Sequence, residues 1–185
     1  KQLDYPLAAP SANITTKISA VKAKDVKEEF GNKIKYILDG GACAIGIEST
    51  IVNLIGRPSI LRLGGLDILK IQKTLNFKIT ISINPKKKIA PGQSRLHYSP
   101  GIPLRMNVTK PKNDEAFIII KRKKTKLKNY FYLTNKNNLD EAAKNLYSCL
   151  RNIKNEGYKS IAVEKIPNKG LGKAINDRLR RASKY

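Results

Sequence analysis

Two tracts of small and polar residues constrain this chain more than anything else in it. They are Pro6-Leu7-Ala8-Ala9-Pro10-Ser11-Ala12-Asn13 and Asp39-Gly40-Gly41-Ala42-Cys43-Ala44-Ile45-Gly46-Ile47-Glu48-Ser49-Thr50. Proline removes a backbone donor and glycine raises the entropy cost of ordering, so neither tract is a helix interior. Neither alternates apolar and polar residues as a half-buried strand does. Their chemistry suits backbone passing close to a bound molecule, with hydroxyls and amides turned toward it. A nucleotide or amino-acid site reads this way.

The rest of the composition bounds what surrounds those tracts. The 185 residues, 41% of them hydrophobic, suffice for one packed domain or two small ones. The longest apolar run, Phe117-Ile118-Ile119-Ile120, is a strand's length and far short of the ~20 residues of a membrane span, so no membrane partner is expected. No signal peptide is visible, although the sequence does not open on Met. Cys43 and Cys149 lack metal-ligand spacing and read as reduced, structural thiols, which fits a cytoplasmic protein. The net charge of +23 attracts phosphate without regard to sequence. Yet 28 of the 37 basic residues are Lys, which lacks the planar fork of Arg, and the excess of Lys, Asn and Ile also fits A- and T-rich codons. Genomic bias and an electrostatic role both stay open.

Along the chain, Ser19 is placed to cap a helix running to Phe30, with Asp25, Glu28 and Glu29 on its wet side and Gly31 ending it. Lys33 to Leu38, Glu48 to Ile55, Ser59 to Leu63 and Lys78 to Ile83 read as strands, the middle two joined by the turn Gly56-Arg57-Pro58. Asp67 caps a short helix with Ile68, Ile71 and Leu75 on one face. Residues 84–103 carry four prolines and read as a linker, one that nonetheless bears Arg95, His97 and Tyr98. Beyond it, Ala116 to Lys121, Asn129 to Leu133 and Ser160 to Glu164 read as strands. Asn138 caps a long helix closed by Gly157, with Glu141 completing a capping box and Leu139, Ala143, Leu146, Leu150 and Ile153 in one apolar stripe, and Leu171 to Lys184 forms a last helix. This strand–helix order predicts a parallel, three-layer α/β module.

These residues carry a resemblance. The first tract with Ser19, Ile37-Leu38-Asp39-Gly40-Gly41, Gly46-Ile47-Glu48-Ser49-Thr50-Ile51-Val52 and Ile60-Leu61-Arg62 together resemble the YrdC/Sua5 family of threonylcarbamoyl-AMP synthases. Pro91-Gly92 with Arg95, His97, Tyr98 and Pro100 resembles the linker of its two-domain Sua5 branch, and Gly170 to Ala182 the end of its C-terminal domain. That end match and the linker argue against the hydrogenase-maturing carbamoyltransferases, which also contain YrdC-like domains. The resemblance implies residues 1–83 as the C-terminal half of a twisted-sheet α/β catalytic domain, 84–103 as linker or lid, and 104–185 as the small Sua5 domain. The family's catalytic domain begins well before the Pro-Ser-Ala-Asn tract, so this chain is expected to lack the N-terminal half of the site, including the Lys and Arg cluster for the triphosphate.

The resemblance further implies an enzyme that joins L-threonine, bicarbonate and ATP into threonylcarbamoyl-adenylate and releases pyrophosphate. Magnesium accompanies ATP, and the product serves N6-threonylcarbamoyladenosine at tRNA position 37 together with partner enzymes of the transfer step. Ala9, Ser11, Asn13, Ser19, Ser49, Arg62, Arg95, His97 and Tyr98 are the implied ATP and threonine contacts. Five of these have a plainer reading beside them. Ser11 and Asn13 suit an ordinary turn, Ser49 a strand start, Arg62 an ion pair with a nearby carboxylate, and His97 packing between domains. His97 is the only histidine, which excludes multi-His metal sites and leaves no spare base for a conventional triad. No general acid or base is evident. The alternatives are an inactive fragment, with unpaired sheet edges, or a basic module that contacts tRNA or double-stranded RNA without catalysis. A low aromatic fraction of 6% offers few stacking platforms for the latter.

Overall fold

The computed structural model of the chain describes residues 3–6, 8–124 and 127–184. Its elements in order are α1 (Ala23–Phe30), a 3-10 turn (Gly31–Lys33), β1 (Ile51–Asn53), β2 (Ser59–Arg62), α2 (Ile68–Leu75) and β3 (Thr80–Ile81). After the linker come β4 (Leu104–Arg105), β5 (Ala116–Lys121), β6 (Tyr130–Thr134), α3 (Leu139–Asn155), β7 (Ile161–Val163) and α4 (Gly172–Ala182). They build two sheets. In the first, β1 runs antiparallel to β2 and β3 joins β2 in parallel. In the second, the order β4-β7-β5-β6 is parallel throughout.

The first sheet is slighter than the sequence suggests. The segment 34–38 has strand-forming residues but finds no neighbouring strand, and it runs over the surface with Tyr36 79% and Leu38 96% exposed. An extended segment without a hydrogen-bonded partner has nothing to hold it as a strand. The strands expected over 48–55 and 78–83 contract to β1 and β3 for the same reason. Ser19 does not cap α1. Lys22 holds that position, and the Asp25 carboxylate accepts from the Val21 and Lys22 amides at 2.8 and 3.1 Å. Asp25 and Glu29 do not face water either, because Arg151 of α3 lies within 4.0 and 3.1 Å of them. Asp67 caps α2 as expected, accepting from Leu69 at 3.0 Å.

The second sheet is a mixed outcome for the three-layer expectation. The parallel order is present, and the α3 stripe of Ala143, Leu146, Leu150 and Ile153 is fully buried. Both α3 and α4 pack on the face carrying Ile118, Ile120, Ile161 and Val163. The opposite face gathers Phe117, Ile119 and Ala162 with Val108, Tyr130 and Tyr132, and no described helix joins that cluster. The described module therefore has two layers, not three. The chain passes from β5 to its parallel neighbour β6 through residues 122–129, too few for the helical crossover that usually covers such a face.

One apolar core serves both sheets. It runs from Ile18, Ile60 and Ile68 through Tyr98 to Ile118, Leu146 and Ile175. Between the sheets, residues 84–103 form no helix or strand, yet they are pinned. Buried Gln93 accepts from the Ile89 and Ala90 amides and donates to the Leu61 and Ser82 carbonyls. Among the described residues no helix is long and apolar enough to cross a membrane.

Candidate functional site

The second small-residue tract turns inward at Gly46. With φ of +77°, Gly46 adopts a conformation that other residues resist, and a Cβ there would stand 2.4 Å from the Lys144 carbonyl of α3. Gly64 plays the same part on the far side, where a Cβ would meet the backbone of Ser49 and Thr50. Two glycines thus clamp Ile47-Glu48-Ser49 between β2 and the long helix.

Held there, Glu48 becomes the centre of a buried polar network. Its carboxylate accepts from the Ser19 hydroxyl at 2.5 Å, from the Tyr147 hydroxyl at 3.0 and 3.1 Å, and from Arg178 Nε at 2.9 Å. Arg178 in turn donates to Asp177, which also accepts from Arg181. The Arg178 guanidinium lies 4.8 Å from the centre of the Tyr98 ring, and Tyr98 stacks on Tyr147 at 5.9 Å. His97 accepts from the Tyr98 amide through Nδ1. Among the described residues, Arg178 Nη2 and the Tyr98 hydroxyl are buried without a hydrogen-bond partner. The sequence reading missed Tyr147 and Arg178. A helical stripe hides a Tyr among its apolar neighbours, and an Arg beside Arg180 and Arg181 looks solvated.

Charge follows from this geometry. Burial opposes ionisation of Glu48, but Arg178 and the Ser19 hydrogen bond outweigh it and hold the carboxyl below its ordinary range. Burial pushes the Tyr147 and Tyr98 phenols up. Burial pulls His97 down, helped by Arg178, Arg181 and Arg62 and opposed by Glu48. Cys149 is pushed up to about 12, mainly by burial, and is inert, while Cys43 is exposed and also free.

A cavity of about 190 Å³ opens against Glu48, lined by Ser11, Ser19, Cys43, Gly46 and Tyr147 among others. Ser11 and Ser19 therefore stand together on a wall shared with Glu48. Asn13 does not line it. Its amide instead clamps the turn through the Ile14 and Lys17 carbonyls. Ala9 is exposed. Ser49 and Arg62 are held to each other and do not line the cavity: Arg62 donates to the Ser49 carbonyl at 3.0 Å and to its hydroxyl at 3.2 Å. No carboxylate pairs with Arg62 among the described residues, so the ion-pair alternative has no support. Tyr98 and His97 lie behind Glu48 and Arg178. Arg95 goes elsewhere, to a separate cavity beside the end of α4. Among the described residues no cluster of three His, Cys, Asp or Glu could hold a metal.

Fold and site define a class: a two-sheet α/β protein whose ligand-sized hollow is walled by residues from both sides of a pinned linker. Comparison with known proteins agrees. Residues 64–184 match the family model described as threonylcarbamoyl-AMP synthase, C-terminal domain, and residues 1–64 match the Sua5/YciO/YrdC model described as telomere recombination. The chain is 35% identical to the threonylcarbamoyl-AMP synthase of Pyrococcus abyssi, over 98% of this chain and 59% of that protein. It is 31% identical to the enzyme of the same name from Schizosaccharomyces pombe, over 97% and 52%. It also resembles the crystal structure of P. abyssi Sua5 complexed with L-threonine (TM-score 0.81, 33% identity, 95% of this chain and 57% of that one). A variant of that protein with an adjacent histidine and tyrosine both changed to alanine matches at TM-score 0.76 and 31% identity, over 95% and 56%. This chain belongs to the Sua5 family of threonylcarbamoyl-AMP synthases. It spans a little over half the length of the relatives it matches.

Proposed function

We propose that this chain supplies the threonine-binding wall of an L-threonylcarbamoyladenylate synthase. The reaction joins L-threonine, bicarbonate and ATP, releases pyrophosphate and feeds tRNA threonylcarbamoyladenosine formation at position 37 with its partner enzymes. The observation that carries this reading is the cavity against Glu48. At about 190 Å³ it is smaller than the ~300–1,000 Å³ of pockets that take drug-sized ligands, which suits an amino acid and not a whole nucleotide. Ser11 and Ser19 line it, the Ser19 hydroxyl donates to Glu48, and Ser49, held by Arg62, follows Glu48 in the chain. The complex of the P. abyssi relative with L-threonine supports the same ligand. The relative's altered His-Tyr pair also has a parallel in His97-Tyr98, the one such dipeptide in this chain.

The chemistry asks mainly for positioning. A carbamate oxygen must be held in line with the ATP α-phosphate while charge on the leaving pyrophosphate is neutralised. The serines and Arg62 hold and orient, and the buried network keeps their backbone fixed. Magnesium belongs to this reading as the ion carried on ATP's own phosphates, a binding mode that requires no protein cage. Module boundaries at 83/84 and 103/104 and a cytoplasmic location are part of the same reading.

Titration calorimetry with L-threonine is the direct test. Binding that weakens about tenfold in Ser19→Ala, and is absent with L-leucine, is expected. No heat with threonine, with the chain folded, would sink the assignment and favour the inactive-fragment alternative. Pyrophosphate release from threonine, bicarbonate and ATP by this chain alone would in turn overturn the fragment view.

A further inference from the structure

Glu48 is the one charged side chain among those lining its cavity. Its side chain keeps 16% of its surface exposed, although the network around it is buried. The two carboxylate oxygens are held differently. Oε2 accepts from Arg178 Nε and the Tyr147 hydroxyl, whereas Oε1 accepts from the hydroxyls of Ser19 and Tyr147. Ser19 and Tyr147 line the cavity and Arg178 does not, which puts Oε1 on the cavity side. Arg178 also shares its charge with Asp177. An ionised carboxylate thus turns toward the hollow an oxygen held by neutral donors. One of those donors comes from the opposite module. Tyr147 stands on α3, one turn beyond the Lys144 carbonyl against which Gly46 is pressed. It is buried, and burial raises its phenol, so the hydroxyl keeps the proton it donates.

We infer that Glu48 accepts the ammonium group of the amino acid bound in this cavity, and that Tyr147 is the positioning residue that aims its carboxylate. The inference rests on the threonine reading and deepens it. Charge chooses the group. Hydroxyl donors leave the anion on the cavity side uncompensated, whereas an ammonium brings three donors and a positive charge to it. A hard metal ion is the poorer match, since it gathers several oxygen ligands and no second carboxylate lines the cavity. The second module, through α3, therefore sets the affinity of a cavity whose other lining residues fall within 11–48.

Changing Glu48 itself strands Arg178 in the core, so the test uses Tyr147→Phe, which keeps the ring and deletes the donor. Calorimetry on the full chain compares L-threonine with 3-hydroxybutyrate, the same skeleton without its amino group. The parent is expected to bind threonine about tenfold more tightly, the size of one charge-assisted hydrogen bond. Tyr147→Phe is expected to weaken threonine by about tenfold and 3-hydroxybutyrate by less than about twofold, so that the preference disappears. Asn138→Ala, on the same helix and outside the cavity lining, is the control. Thermal melts are expected to show a similar loss of stability in both variants, with the control keeping both affinities. Binding of neither compound by the parent would sink the threonine reading and this inference together. Threonine bound no better than 3-hydroxybutyrate would overturn the inference alone and leave that reading in place. So would a Tyr147→Phe variant that loses both affinities equally, or neither, because the hydroxyl would then serve stability only.

Discussion

Replacing Glu48 with glutamine removes the anion facing Arg178, a side chain only 1% exposed. Breaking a buried pair from one side is costly because the remaining charge stays buried and unpaired, so E48Q is expected to lose about 3 kcal/mol in urea denaturation. Tyr147→Phe, which deletes only a hydroxyl donor to the same carboxylate, should lose about 1 kcal/mol. Equal losses would mean that Arg178 carries no special penalty. The pH dependence follows from the same residues. The Glu48 carboxyl and His97 are both depressed in the fold, so each binds its proton more readily when unfolded. Stability from His97 is whole above about pH 6.5 and is lost as pH falls through its folded value, and Glu48 adds a second loss below about pH 4.5. A His97→Asn variant should show a flatter stability profile just below pH 6.5 than the parent. A profile that does not change would mean that His97 is solvated. Ser11 and Ser49 lie in the small polar tracts that announce close backbone approach, while Ser19 and Arg62 were named as candidates through the family resemblance alone. Tyr147 and Arg178 were not, since local pattern says nothing about what lies across a fold.

Among elements, α3 is the clearest case of agreement. Its apolar stripe, its Asn138 cap and its end at Gly157 were all readable from 3.6-residue spacing and capping chemistry, and Asn138 accepts from Asp140 and Glu141 at 2.8 and 3.1 Å. The capping box is the part that fails, because Glu141 accepts from Asn135 and not from Asn138. Asn138→Ala should destabilise the chain by about 1 kcal/mol in thermal unfolding. A larger penalty belongs to Gly46→Ala. The substitution meets both a disfavoured φ and the α3 backbone, for a loss on the order of 3 kcal/mol, readable as a lower melting temperature. A variant as stable as the parent would mean that the tract does not press on α3. Short strands were the poorest reading. β-type residues mark a segment able to pair, but pairing is decided by a neighbour, which 34–38 does not find and which β4, only two residues long, does.

On the scale of the whole molecule, one core and one polar network join the two sheets, so the linker is a seam and not a hinge. Arg151 repeats the pattern of Arg178, reaching from α3 to Glu29 and the Ile18 carbonyl. The chain should therefore unfold in one step, with calorimetric and van't Hoff enthalpies in agreement. Two resolved transitions would contradict the shared core. The amino-acid sequence alone determined the family, the parallel order of the second sheet and the tracts that line the hollow, because these rest on local propensity and on residue types at fixed spacing. Only the tertiary structure decided that Glu48 meets Arg178 across 130 residues, that Arg95 lines a cavity apart from the one at Glu48, and that both helices share one face. Such outcomes depend on which surfaces bury each other, a balance of long-range packing and desolvation that no local window contains.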